Sequence, residues 1–259
     1  MSDAPGGFLA ADEPPACDII NAAGSSDAVL VCDHASNRIP RRLGSLGLDP
    51  DERAAHIAWD PGASVVAEQL ADLLDAPLVR SGYSRLVIDC NRPLNSAESI
   101  ASHSAGIAIP GNQGLDTRDR NARAEALFRP YHHAIARLLD RRAAAGRPSV
   151  LLSIHSFTPA LNGIARPWHV GISYRQDARL AIDLLNALAA DTDLCVGRNT
   201  PYAITDETDY TIPAHGERRG IAHALIEIRQ DGLALAADAT AWARRLHRCY
   251  VRIKPGAGI

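Results

Sequence analysis

Two histidines and one glutamate in this sequence sit where a fold would gather them for chemistry. His34 follows the apolar run 28–32 (AVLVC), with Asp33 between. His155 follows the run 150–154 (VLLSI), and Glu227 lies inside a third run, 224–228, two residues before Arg229. Each run is short and apolar throughout, the pattern of a strand buried on both faces. Strands of an open α/β sheet present their carboxyl ends to a common crevice, so side chains far apart in sequence meet there. Two imidazoles and a carboxylate form a common catalytic zinc shell whose fourth position takes water. The cation lowers the pKa of that water and polarises a carbonyl, and a further carboxylate serves as general base.

Each of these residues has a plainer alternative. A histidine after a strand often caps it or makes one hydrogen bond. Glu227 inside an apolar strand costs desolvation unless paired, and Arg229 shares its face under the period of two, so a structural ion pair is the alternative there. Asp60, in Asp60-Pro61-Gly62 ahead of a helical stretch, is a ligand or a helix cap. Asp89, Asn91 and Arg92 close another apolar run. A guanidinium fork and an amide suit a substrate carboxylate, or form a surface turn. Generic signatures are missing: no H-E-x-x-H, no G-x-S-x-G and no Walker A loop. Ser36 and Ser156 leave a metal-free serine hydrolase as a rival, although neither lies on a nucleophile elbow.

The elements that must position these residues read as an alternation. Strands are expected at 28–32, 77–79, 85–90, 150–154, 170–174 and 224–228. Helices are expected at 63–74, 118–145 (broken near Pro130 and ended at Gly146), 178–190 and 233–250. Residues 99–117 read as a long irregular segment. This order predicts an α/β fold, a mostly parallel sheet with helices on both faces, in one domain over 16–259. Residues 1–15 read as a flexible arm.

Composition narrows the function. The 259 residues are 46% hydrophobic and 22% charged, an ordinary globular balance. A net charge of −3 gives no overall basic field for nucleic acid. The basic residues at 118–123 are interleaved with Asp116, Asp119 and Glu125, as on a solvated helix face. No apolar run approaches the ~20 residues of a membrane span, and the first residues lack the pattern of a signal peptide. Five scattered cysteines, without C-x-x-C pairing, suit a reducing, cytoplasmic setting. The expected partner is a small-molecule substrate, with neither nucleic acid nor membrane.

Seven blocks then carry a resemblance: 29–40 (VLVCDHASNRIP), 58–63 (AWDPGA), 84–93 (SRLVIDCNRP), 109–112 (IPGN), 130–132 (PYH), 153–157 (SIHSF) and 226–231 (IEIRQD). In this order, over most of the chain, they resemble the N-formylglutamate amidohydrolase family. The resemblance implies a three-layer α/β/α domain of the zinc carboxypeptidase-like kind and Zn2+ or another divalent metal as cofactor. It implies hydrolysis of a small carboxylate-bearing amide, first of all N-formyl-L-glutamate to L-glutamate and formate, as in histidine catabolism. Carried over by position, His34 and His155 are metal ligands, with Asp60 as the third. The zinc carboxypeptidases place a Glu three residues after the first His, where this chain has Asn37, a poor zinc ligand. Asn37 and Asp33 therefore stand as alternatives to Asp60. The resemblance further implies Glu227 as general base, and Arg229 in the pocket, helping the metal to stabilise the oxyanion. It puts Arg85, Asn91 and Arg92 on the carboxylate-binding side, with Asn112 and His132 in the pocket. Better-known members carry a Pro-His-Ser/Ala-Gly block near the first His. Asp33-His34-Ala35-Ser36-Asn37 marks a divergent branch. Two other functions fit the same features: a zinc hydrolase acting on another N-acyl amino acid or small peptide, and a binding protein that has lost turnover. The presence of His34, His155 and Glu227 counts against the latter.

Overall fold

The computed structural model describes residues 7–253. Seven strands build one mixed sheet: β1 Cys17–Ile20, β2 Ala28–Cys32, β3 Leu78–Ser81, β4 Val150–Phe157, β5 Val170–Ser173, β6 Val196–Arg198 and β7 His223–Arg229. Their order is β1-β3-β2-β4-β7-β5-β6. The central strands β3, β2, β4 and β7 run parallel, β1 and β5 pair antiparallel with β3 and β7, and β6 runs parallel to β5. Helices α1 Ala63–Leu74, α3 Arg179–Ala189 and α4 Ala236–Ile253 cover one face, where Leu30, Leu152, Ile154 and Ile226 meet Val66, Leu70, Leu184 and Leu246. Helix α2, Arg129–Ala144, covers the other, where Val29, Val31, Leu151 and Leu225 meet Tyr131, Ile135 and Leu138. Covering both faces is why the central strands carry apolar residues on both sides rather than at alternate positions only. The result is the expected three-layer α/β/α arrangement.

Three expectations need correcting. The run 85–90 is not a strand. Leu86, Val87 and Ile88 are buried in a satellite cluster with Ile57, Ile109 and Phe128. The main-chain bonds here go to turns and loops: Arg85 N–H to Ala58 O, Val87 N–H to Ser84 O and Asp89 N–H to Ser99 O. Strand β3, which precedes this run, is already paired on both edges by β1 and β2, so no edge is open to it. Second, β4 continues to Phe157, which places His155 inside the strand instead of after it. Third, of the expected arm 1–15, residues 1–6 lie outside the described residues. From residue 7 the segment is docked: Phe8 and Leu9 pack on the satellite cluster, and Tyr83 donates its hydroxyl to Pro14 O at 2.7 Å. The expected break near Pro130 takes the form of a π-turn over Ala124–Phe128, ending two residues before the proline that cannot donate.

Candidate active site

The pleat sets the site. On β2, β4 and β7 the odd-numbered residues Val29, Val31, Leu151 and Leu225 face α2. Continuing that face to the carboxyl ends brings Asp33, Ser153, His155 and Glu227 to one side, and the parallel register sets Glu227 directly beside His155. Asp60 arrives from the turn before α1, where its N–H donates to His34 O at 3.0 Å. Gly62 has φ 81°, and an added Cβ would lie 2.6 Å from Leu233 Cβ, so only glycine closes this turn.

His34, Asp60 and His155 converge, their ligand atoms all within 4.8 Å of one another. His34 Nδ1 lies 3.3 Å from Asp60 Oδ2, and His155 Nδ1 lies 2.9 Å from the same oxygen. The other ring nitrogens face a second carboxylate each: His34 Nε2 to Asp89 Oδ1 at 2.7 Å and His155 Nε2 to Asp33 Oδ2 at 2.9 Å. A carboxylate only accepts, so each Nε2 carries a proton and donates. In the neutral rings both Nδ1 lone pairs then point at a carboxylate oxygen. Three acceptors face one another in a buried space. Such a cluster needs a proton or a cation at its centre. Ligand atoms ~2.0–2.1 Å from a tetrahedral ion lie roughly 3.3 Å apart, close to the two spacings between the imidazoles and Asp60. Imidazoles backed by carboxylates are also the usual outer shell of a metal site. The residues present fit a divalent cation.

The charges express the same arrangement. Burial opposes a proton on His155, yet hydrogen bonds and charge from Asp33 and Asp60 hold its pKa well above the usual histidine value. Burial and Arg85 oppose one on His34, and Asp89 and Asp60 outweigh them. Asp33, Asp60 and Asp89 all stay ionised despite burial, because imidazoles, and Arg85 for Asp89, surround them. Glu227 goes the other way. Burial pushes its carboxyl up to about 7, the Asp60 charge adding and the His155 charge opposing. Its Oε2 is buried without a hydrogen-bond partner among the described residues.

These groups open on a cavity of about 510 Å3. His34, Asp60, His155, Glu227, Arg85, Asn91 and Arg92 all line it, so most of the expected site residues meet. Arg85 is tied to Asp89 at 2.6 Å and lies 3.6 Å from Asp60. Asn91 holds the cavity's far wall: its Oδ1 accepts from Tyr210 N–H and Thr211 N–H, and its Nδ2 donates to Asp209. Arg92 donates to Thr208 O and keeps an exposed guanidinium.

Three expected residues are elsewhere. Asn112 is buried in a structural knot, donating to Leu86 O and Ala101 O and accepting from Arg123. His132 is bonded to Cys90 O and His215 beneath the site. Arg229 pairs with Asp231 and donates to Arg166 O and Pro167 O; it does not pair with Glu227. Asn37, the alternative ligand, donates to Arg53 O away from the triad. Asp33, the other alternative, lies behind His155, and Tyr131, Thr211 and Ser153 donate to it. That outer layer of Asp33 and Asp89 went unread as such, although the period of two puts Asp33 on the face of Val29 and Val31. Ser156 donates its hydroxyl to Pro61 O and accepts from Gln230, with no imidazole bonded to it among the described residues.

Fold and site together define an α/β protein with a carboxylate-backed imidazole pair and a lone buried glutamate at the carboxyl ends of parallel strands. Residues 26–234 match the N-formylglutamate amidohydrolase family, and the chain belongs to it. The gene product Atu2144 from Agrobacterium tumefaciens has a structure similar to this one: TM-score 0.92, 40% identity, covering 95% of this chain and 97% of that one. An N-formylglutamate amidohydrolase from Ralstonia eutropha JMP134 shares the fold at TM-score 0.71 and 19% identity, covering 93% and 97%. No curated protein matches the chain. No described helix is long and apolar enough to cross a membrane.

Proposed function

We propose that the chain is a metal-dependent amidohydrolase of small carboxylate-bearing amides, with N-formyl-L-glutamate as its substrate and L-glutamate and formate as products. One observation supports this above the rest: three converging acceptor atoms stand beside a buried carboxyl whose Oε2 has no partner. His34, Asp60 and His155 would hold Zn2+ or another divalent ion. When bound, such an ion supplies Lewis acidity, which makes water a nucleophile at neutral pH and polarises a carbonyl. Glu227 then has the base's part, its free Oε2 taking the proton of the attacking water and delivering it to the departing amine nitrogen. Arg85, beside the triad, replaces Arg229 as the guanidinium near the reacting carbonyl. Arg92 binds the substrate carboxylate, and Asn91 positions the wall around it. Asp33 and Asp89 fix the imidazole tautomers.

Dialysis against a chelator tests the reading. Hydrolysis of N-formyl-L-glutamate should be lost with the bound metal and return on adding Zn2+. Full activity in metal-free protein would overturn it.

A further inference from the structure

Two guanidiniums, of Arg85 and Arg92, line this cavity and a third, of Arg166, lies close behind it; the three are in different states. Arg85 is neutralised by Asp89 and Asp60. Arg92 and Arg166 have no carboxylate at salt-bridge distance among the described residues, and Arg166 is only 8% exposed. Its partners are neutral. It donates to Thr158 Oγ1 at 3.3 Å, to Thr158 O at 3.5 Å and to the Tyr202 hydroxyl at 2.9 Å. Its Cζ lies 4.9 Å from the centre of the Tyr202 ring and 5.8 Å from that of Phe157. Phe157, Thr158 and Tyr202 all line the cavity, so Arg166 stands directly behind its wall. The main chain there is fixed, since Arg166 N–H donates to Pro159 O and Arg229 donates to Arg166 O.

A buried cation without a counter-charge is unfavourable, and ring faces and a hydroxyl offset only part of that. An anion arriving from the cavity would complete the site. A carboxylate matches the guanidinium fork, accepting from two parallel N–H groups. Tyr202, 47% exposed, is the group to be displaced: its ring turning aside frees Nη2 for the ligand.

We propose that Arg166 is a specificity-determining residue that binds a second carboxylate of the substrate, making the cleft a dicarboxylate site. The proposal rests on the reading above, in which Arg92 takes the first carboxylate. It selects N-acyl amino acids with an acidic side chain over their neutral counterparts.

Two measurements test it on the metal-loaded protein. The first compares kcat/KM on N-formyl-L-glutamate and on N-formyl-L-glutamine for wild type, R166M and R166K. R166M should lose about 30-fold or more on the dicarboxylate, mainly through KM, and several-fold less on the amide. R166K, which keeps the charge without the fork, should fall between. The second needs no turnover: calorimetric binding of glutarate and of butyrate. R166M should weaken glutarate at least tenfold more than butyrate. Equal losses on both substrates, or unchanged glutarate binding in R166M or R166K of wild-type melting temperature, would sink the proposal. Wild type that hydrolyses neither amide yet binds glutarate through Arg166 would overturn the amidohydrolase reading and uphold this one.

Discussion

Among the described residues Glu227 Oε2 has no hydrogen-bond partner, and that decides how a conservative change there behaves. Glutamine has the same shape and fills the same place beside His155, but it cannot take a proton. The triad ligands His34, Asp60 and His155 are untouched by the change. Glu227→Gln should therefore retain its metal, measured by elemental analysis, while kcat falls about 10²–10⁴-fold. A variant that turns over at the wild-type rate would remove Glu227 from the base's role. At this scale the sequence discloses what stands out against an apolar background. His34, His155 and Glu227 interrupt or end hydrophobic strands, so a polar purpose is visible. Asp89 is hidden, since its run LVIDC resembles a strand end and its partners His34 and Arg85 come from folded loops. Asn112 and His132 carry the same letters as ligand-binding residues, and only three-dimensional placement shows that main-chain carbonyls have taken their hydrogen bonds.

Helix α2 and the π-turn Ile212–Gly216 meet beneath the site through a second imidazole pair. The Cys90 carbonyl can only accept, so His132 Nε2–H donates to it at 2.8 Å. His132 Nδ1 must then accept, and His215 Nε2–H supplies the proton at 3.0 Å. Both rings are held neutral. Burial lowers His132 to about 4, and burial with the neighbouring ring lowers His215 to about 3. An unfolded histidine titrates near 6.5. Between that value and the folded values the unfolded chain binds more protons, so stability is full above ~6.5 and falls as pH drops. Each ring contributes a loss of up to ~1.4 kcal/mol per pH unit in that window. In His215→Gln the amide Nε2 still donates toward His132, but one titrating group is gone. Urea melts at pH 6.5 and 5 should show a smaller acid-induced loss for the variant by about 1 kcal/mol. An identical loss would mean that His215 is not held neutral. Element identity follows from the sequence wherever burial on both faces leaves an apolar run, as in β2, β4 and β7. It fails at 85–90, because an apolar run can equally fill a satellite core when the strand before it is already paired on both edges.

Across the whole molecule the site gathers residues from segments far apart in the chain. Asp33 and His34 follow β2, Asp60 belongs to the turn before α1, His155 lies on β4, and Asp89 anchors the irregular stretch after β3. Thr211 and Tyr131 tie the 205–211 wall and α2 to Asp33. The cost of holding three acceptors together without a cation is thus distributed over the carboxyl ends of the whole sheet. A cation that binds this arrangement and not the unfolded chain stabilises the fold by mass action, about 4 kcal/mol at a thousandfold excess over its Kd. For a chain of this size each kcal/mol moves Tm by roughly 2–4 °C. Metal-stripped protein should therefore melt about 10 °C below the Zn2+-saturated form in a scanning calorimeter. His155→Ala, lacking one ligand, should lose most of that difference while its metal-free Tm stays near or below that of the wild type. A wild-type Tm indifferent to saturating Zn2+ would show that protons, not a cation, satisfy the cluster.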